Sequence, residues 1–215
     1  MQGRDDVSSA PNHGADTAKK APDSPSAALA KAPAREEILH EGRFLQTMRV
    51  GHWEYVRRKN STGIVIIVAL TSDDEMIFVE QYRRPVGTRV IELPAGLAGD
   101  IVGQEHEALA IAAGRELEEE TGYRAARIEE LVMGPVSAGL TSEVVTFFRA
   151  HDLTRVSDGG GDEHEDIEVH RIPRTAVVAW LAERARAGVM VDAKVFAALY
   201  FLSEAYLNAT LEPAG

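Results

Sequence analysis

Glu107-Ala108-Leu109-Ala110-Ile111-Ala112-Ala113-Gly114-Arg115-Glu116-Leu117-Glu118-Glu119-Glu120-Thr121-Gly122-Tyr123 is the stretch on which the reading of this chain turns. It reads as a helix over 105–120, stopped by Thr121-Gly122 where a glycine cap belongs. Its first half, 108–114, is apolar on all sides and is expected to be buried. Its second half carries four carboxylates between Arg115 and Glu120. Glu116 precedes Glu119 by three positions and Glu120 by four, so these three project from one side. Like charges at those spacings repel, and the helix C-terminus disfavours anions further. Such a turn is either a solvated acidic face or a place for a cation. Hard carboxylate oxygens suit Mg²⁺ or Mn²⁺.

Upstream of this helix the chain is strand-like. Segments near 44–50, 53–59, 64–70, 76–83 and 89–93 are rich in β-branched and aromatic residues, with turn residues between them. Ile64-Val65-Ile66-Ile67-Val68 lacks alternation and so predicts a strand buried on both faces. Downstream, strands are expected near 127–134, 143–150 and 166–172. A helix over 176–187 follows, with Thr175 as N-cap and Gly188 past its end. A last helix over 193–207 sets Val195, Leu199, Leu202 and Tyr206 on one stripe. Strands and helices in this order predict an α/β (α+β) sandwich.

The remainder of the sequence bounds the function. Four of the nine prolines lie in the first 36 residues and no aromatic residue precedes Phe44, so residues 1–36 predict a disordered tail. No cysteine is present, which excludes disulfides and thiolate metal sites. The net charge of −11 argues against a nucleic-acid-binding surface. Neither a membrane-spanning run nor a secretion leader is visible, so a soluble cytoplasmic protein without membrane association is expected.

The spacing of Glu107, Arg115-Glu116-Leu117, Glu119-Glu120 and Gly122-Tyr123 resembles the Nudix box, and Glu92-Leu93-Pro94-Ala95-Gly96-Leu97 is similar to the loop that leads into it. The resemblance covers roughly 44–203. One departure is the ten residues between Gly96 and Glu107 where the family usually has five, so 98–104 reads as a loop insertion. The resemblance implies a Nudix-type α/β/α sandwich with a mixed sheet between helices, plus an N-terminal antiparallel strand region. Three parts are expected: the tail 1–36, N-terminal strands 37–62 exchanged in a homodimer, and a Nudix domain 63–210.

The same resemblance implies the site. Glu116 and Glu120 are expected as metal ligands, with Glu119 a ligand or close partner and the Ala95 carbonyl completing the shell. Arg115 is expected to orient the glutamates, and Glu107 to act behind them. The run Gly159-Gly160-Gly161-Asp162-Glu163-His164-Glu165-Asp166 reads as a mobile, acid-bearing loop and resembles the one that carries the base in the ADP-ribose pyrophosphatase branch. Glu163 is placed as general base and Glu165 as a further metal contact, with the reverse assignment open. Arg83 and Arg84 suit a diphosphate. Trp53 and Glu92 complete the substrate set, Trp53 by stacking on a base in a neighbouring subunit.

The implied activity is Mg²⁺-dependent hydrolysis, Mn²⁺ being an alternative, of the diphosphate in ADP-ribose or a related nucleoside diphosphate sugar. Ala138 stands where ADP-ribose pyrophosphatases usually carry proline, which leaves a broader sugar range open. Hydrolysis of other nucleotides and non-catalytic ADP-ribose sensing are the alternatives.

Overall fold

A computed structural model of the chain describes residues 35–101, 103, 106–161, 165–203 and 206. The expected tail lies outside them, apart from its last two residues. All elements below belong to the compact unit Glu36–Gly215.

The strand β4 spans Gly63–Ala69. Its residues Val65 to Ala69 are almost wholly inaccessible, as an unbroken β-branched run demands. It pairs with β7 (Ala95–Ala98) antiparallel and with β9 (Val144–Arg155) parallel, and β8 (Tyr123–Pro135) closes that sheet in the order β7-β4-β9-β8. A second mixed sheet runs β10-β5-β6-β11, made of Glu168–Pro173, Glu75–Arg83, Thr88–Glu92 and Met190–Val191. The expected mixed sheet is thus realised as two four-stranded sheets.

Alternation along β4 and β5 divides the core in two. Val65, Ile67 and Ile77 pack with Ala112, Ala113 and Leu117 of α1 (Leu109–Thr121). Ile66, Val68, Met76 and Phe78 pack on the other side with Val177 and Leu181 of α2 (Val177–Arg186) and Val195, Ala198 and Phe201 of α3 (Ala193–Phe201). This is an α/β/α arrangement. The strands β1 (Glu36–Glu41), β2 (Leu45–Val50) and β3 (Trp53–Arg58) form a separate antiparallel sheet. Among the described residues no helix is long and apolar enough to cross a membrane.

Several local expectations need correction. α1 starts at Leu109, not 105, and Ile111 on its first half is 65% exposed, so that half is buried on one face only. Thr175 does not cap α2: a 3₁₀ turn, Arg174–Ala176, leads directly into the helix, with Ala176 at the cap position. α3 ends at Phe201, and Asp192 caps it by accepting from the Lys194 N–H at 2.7 Å. β7 falls in a stretch read as loop, because Ala-Gly-Leu-Ala carries no β-branched residue.

Candidate active site

α1 ends as the sequence requires. Gly122 takes φ 74°, and its N–H bonds to the Glu118 carbonyl at 2.9 Å. The next two carbonyls are taken by another segment: Gly160 N–H donates to Glu120 O at 2.8 Å and Gly161 N–H to Glu119 O at 3.1 Å. The approach is close enough that a Cβ on Gly159 would lie 2.4 Å from the Thr121 carbonyl carbon. Gly159-Gly160-Gly161 is therefore a packed support for the carboxylate turn, where the sequence suggested a mobile loop.

Each carboxylate of that turn meets a different environment. Glu118 faces outward and pairs with Arg124 at 2.7 Å. Glu119 is exposed at its tip, Glu116 is mostly covered, and Glu120 is only 3% exposed. Arg115 ties the set together. It donates to Glu107 at 3.2 Å, Glu116 at 2.9 Å, Glu119 at 3.1 Å and the Leu97 carbonyl at 3.0 Å. Burial pulls its guanidinium toward the neutral form, but bonding to Glu107 and the fields of Glu116, Glu107 and Glu119 outweigh that and keep it charged.

Glu120 has no such cation against it. Its Oε2 accepts the Ala95 N–H at 3.0 Å. Burial, with the nearby Glu116 and Glu165 carboxylates, raises its carboxyl to about 8 despite that bond and the field of Arg83. Burial likewise raises Glu116 to about 7, with Glu119 and Asp100 adding to it and Arg115 opposing. Gly96 faces Glu116 so tightly that a Cβ there would sit 1.9 Å from the Glu116 carboxyl carbon.

These groups line one cavity of about 860 Å³. Of the residues singled out from sequence, Arg83, Glu92, Ala95, Arg115, Glu116, Glu119, Glu120 and Glu165 line it. Arg83 donates to Glu92 at 2.6 Å. Burial raises the Glu92 carboxyl, against the opposing charge of Arg83. Two expected substrate residues are not brought there. Arg84 is exposed on the turn after β5, since neighbouring residues at a strand end point to opposite sides. Trp53 is 53% exposed at the start of β3 and donates its indole N–H to the Gly139 carbonyl at 3.3 Å. Glu163 lies outside the described residues.

The sequence reading missed Arg58, Asp100, Glu143 and Lys194, which also line the cavity. Arg58 donates to Glu143 at 2.6 Å, joining β3 to the segment before β9. That segment is held by backbone bonds from Val56 N–H to the Leu140 carbonyl and from Ser142 N–H to the Val56 carbonyl. No local motif marks these residues; strand pairing across the fold assembles them.

The donor set suits a hard divalent cation. Buried carboxylates at this helix end, left without a cation of their own at Glu120, are what such an ion would compensate. The oxygens of Glu116, Glu119 and Glu120 do not all lie within 4.8 Å of one another; among the described residues Glu80, Glu168 and His170 form the group that meets that measure. Glu80 is already bound by two arginines, Arg89 at 2.9 Å and Arg184 at 2.5 Å, so its charge is spent on them.

Comparison with known proteins identifies the family of the chain. A family model described as the NUDIX domain matches residues 61–192. The chain is 32% identical over 141 residues to an ADP-ribose pyrophosphatase of Bacillus subtilis, covering 65% of this chain and 71% of that one. It is 30% identical over 191 residues to an ADP-sugar pyrophosphatase of Mus musculus, covering 75% and 83%. It is 29% identical over 141 residues to a methanol dehydrogenase activator of Bacillus methanolicus, covering 65% and 71%. A crystal structure of an ADP compounds hydrolase shares the fold with a TM-score of 0.63 at 21% identity, covering 84% of this chain and 95% of that one. The chain therefore belongs to the Nudix hydrolase family, in the branch that holds the ADP-ribose and ADP-sugar pyrophosphatases.

Proposed function

We propose that this protein is a Mg²⁺-dependent pyrophosphohydrolase that cleaves the diphosphate of ADP-ribose or a related nucleoside diphosphate sugar, giving a nucleoside monophosphate and a sugar phosphate. The observation that carries the reading is the pair of buried, under-compensated carboxylates, Glu116 and Glu120, facing a cavity that also presents Arg58, Arg83 and Lys194. An acidic wall opposite cationic side chains fits a diphosphate bridged to the wall by a divalent cation.

In this reading Glu116 and Glu120 hold the metal, with Glu119, Glu165 and the Ala95 carbonyl as further donors. When bound, the metal withdraws charge from phosphorus and lowers the pKa of water. Arg115 bridges Glu116 and Glu119, offsets their repulsion and orients them. Arg83, itself held by Glu92, neutralises the non-bridging phosphate oxygens. A loop carboxylate, Glu163 or with roles exchanged Glu165, takes the proton of the attacking water. The water oxygen bonds to one phosphorus, the bridging P–O bond breaks, and the second phosphate leaves with that electron pair. Trp53, exposed beside Gly139, is assigned to a base in the site of a second subunit. That assignment implies a homodimer in which strands 37–62 are exchanged and residues 63–210 form the catalytic domain; light scattering at micromolar concentration tests the dimer.

The deciding experiment incubates the protein with Mg²⁺ and ADP-ribose, ADP-glucose, UDP-glucose, GDP-mannose and dinucleoside polyphosphates, and follows phosphatase-coupled phosphate release. Turnover of at least one sugar nucleotide, abolished by chelation and by Glu120→Gln, is the expected result. No turnover across the panel with Mg²⁺ or Mn²⁺ overturns the reading.

A further inference from the structure

A second heavily bonded, buried charge lies outside the cavity lining. Glu80, 2% exposed on β5, takes Arg89 Nε at 2.9 Å, Arg184 at 2.5 Å and His170 Nε2 at 3.0 Å. Burial would raise its carboxyl, but bonds from Arg184, Arg89 and His170 more than reverse this and hold it below the ordinary range. One of these partners reaches further. The Arg89 guanidinium is fixed on two sides by Glu80, through the carboxylate and through the Glu80 carbonyl at 2.9 Å. Its remaining nitrogen extends to Asp166 at 3.0 Å. Asp166 is the residue after Glu165, and Glu165 lines the cavity beside Glu120.

Described residues on both sides of Glu165 in sequence are thus held. Before it, Gly160 and Gly161 donate to the carbonyls of Glu120 and Glu119. After it, Arg89 holds Asp166, and His170 on β10 meets the same buried Glu80. The Asp166 side chain is 88% exposed, so its ion pair adds little to folding stability. A guanidinium locked by a buried carboxylate and pointed at an exposed aspartate fits a positional role better than a stabilising one.

We infer that Arg89, oriented by Glu80, is a positioning residue whose bond to Asp166 sets the height of Glu165 over the carboxylate turn of α1. This rests on the proposed hydrolase reading, in which Glu165 acts at the metal or as base. Neither Arg89 nor Asp166 touches substrate in this scheme.

A double-mutant cycle tests it. Arg89→Gln, Asp166→Asn and the double variant are assayed with the best sugar nucleotide from the panel, alongside wild type and Glu120→Gln. Hydrogen exchange of peptides spanning Glu165–Ile167 is followed in parallel. The expected result is a fall in kcat of about ten-fold in each single variant, short of the roughly hundred-fold that a full ångström of displacement can cost. KM should stay within about two-fold, the double variant should be no worse than either single, and exchange should quicken in all three. Should Arg89→Gln fail to fold, Asp166→Asn, which alters an exposed side chain, carries the test by the same kcat loss and faster exchange. Unchanged kcat and exchange in Asp166→Asn, a loss confined to KM, or multiplying losses in the double variant would overturn the inference. Wild-type activity lost in Glu120→Gln but insensitive to the cycle sinks only the positioning role. An inactive wild type sinks the hydrolase reading, and unchanged exchange in Asp166→Asn would then sink the positioning of Glu165 by Arg89 as well.

Discussion

Gly96→Ala is the sharpest perturbation the structure offers. Gly96 lies in β7 with no left-handed backbone requirement, so alanine suits its conformation. The obstacle is a neighbour: the new Cβ would stand 1.9 Å from the Glu116 carboxyl carbon and 2.2 Å from its nearer oxygen. Ordinary contact begins near 3.4 Å, so the carboxylate must retreat by about 1.5 Å. It sits at the free end of a flexible side chain, so the fold absorbs the move at small cost while the site does not. At a group assigned by the proposed function to hold a metal, a displacement of that size predicts a fall of about 10²-fold in kcat/KM, roughly 3 kcal/mol of transition-state stabilisation. The assay is Mg²⁺-dependent hydrolysis with a Mg²⁺ titration, and the activation midpoint should move to higher concentration. Thermal unfolding of the metal-free protein should change by only a few degrees. Gly139→Ala, where a Cβ meets nothing within 4 Å, is the control. If Gly96→Ala keeps full activity and an unmoved Mg²⁺ midpoint, Glu116 is not fixed where the structure has it, and its role as a ligand falls.

Three further outcomes follow from the same site. Glu116 and Glu120 have carboxyls raised to about 7 and 8, so their contribution to stability is complete below the ordinary carboxylate range and is lost as pH rises through those values. Metal-free protein should therefore lose a few kcal/mol between about pH 5 and 9, seen in chemical denaturation, and Mg²⁺ should restore it. Glu120→Gln removes a buried charge, so the metal-free variant should unfold at higher temperature than wild type at pH 8.5 while losing roughly 10³-fold in kcat. Gly159→Ala must displace the Thr121 backbone from a position with φ 69°, and should lower the melting temperature by about 5 °C or more, read by calorimetry.

How much of this was legible in the sequence depended on range. The carboxylate turn and its glycine cap are encoded within one helix, where spacing maps onto direction, and Glu116, Glu119 and Glu120 do share a cavity. The unbroken β-branched run at 64–68 likewise fixed a doubly buried strand. What failed was set by neighbours that spacing does not reveal. The triple glycine reads as freedom, yet its φ values of 69°, 109° and 78° serve a backbone pressed against α1. Tandem arginines read as one patch, yet only Arg83 faces the cavity. Arg58, Glu143 and Lys194 arrive from β3, the segment before β9 and the start of α3, a meeting that no local pattern announces.

Two buried glutamates of this protein meet opposite electrostatic surroundings. Glu80 and Glu120 are 2% and 3% exposed, and each would be costly if ionised alone. Glu80 is met by two guanidiniums and an imidazole, and its carboxyl is driven down. Glu120 is met by one backbone N–H and other carboxylates, and its carboxyl is driven up. A fold that needed Glu120 only for stability would have supplied a partner, as it did for Glu80. Instead the Arg115 side chain is directed at Glu107, Glu116 and Glu119, and Arg83 acts on Glu120 only from a distance. Left alone, the Glu120 carboxyl escapes that cost by staying protonated up to about 8; in the proposed reading it ionises when a divalent cation binds between Glu120 and Glu116.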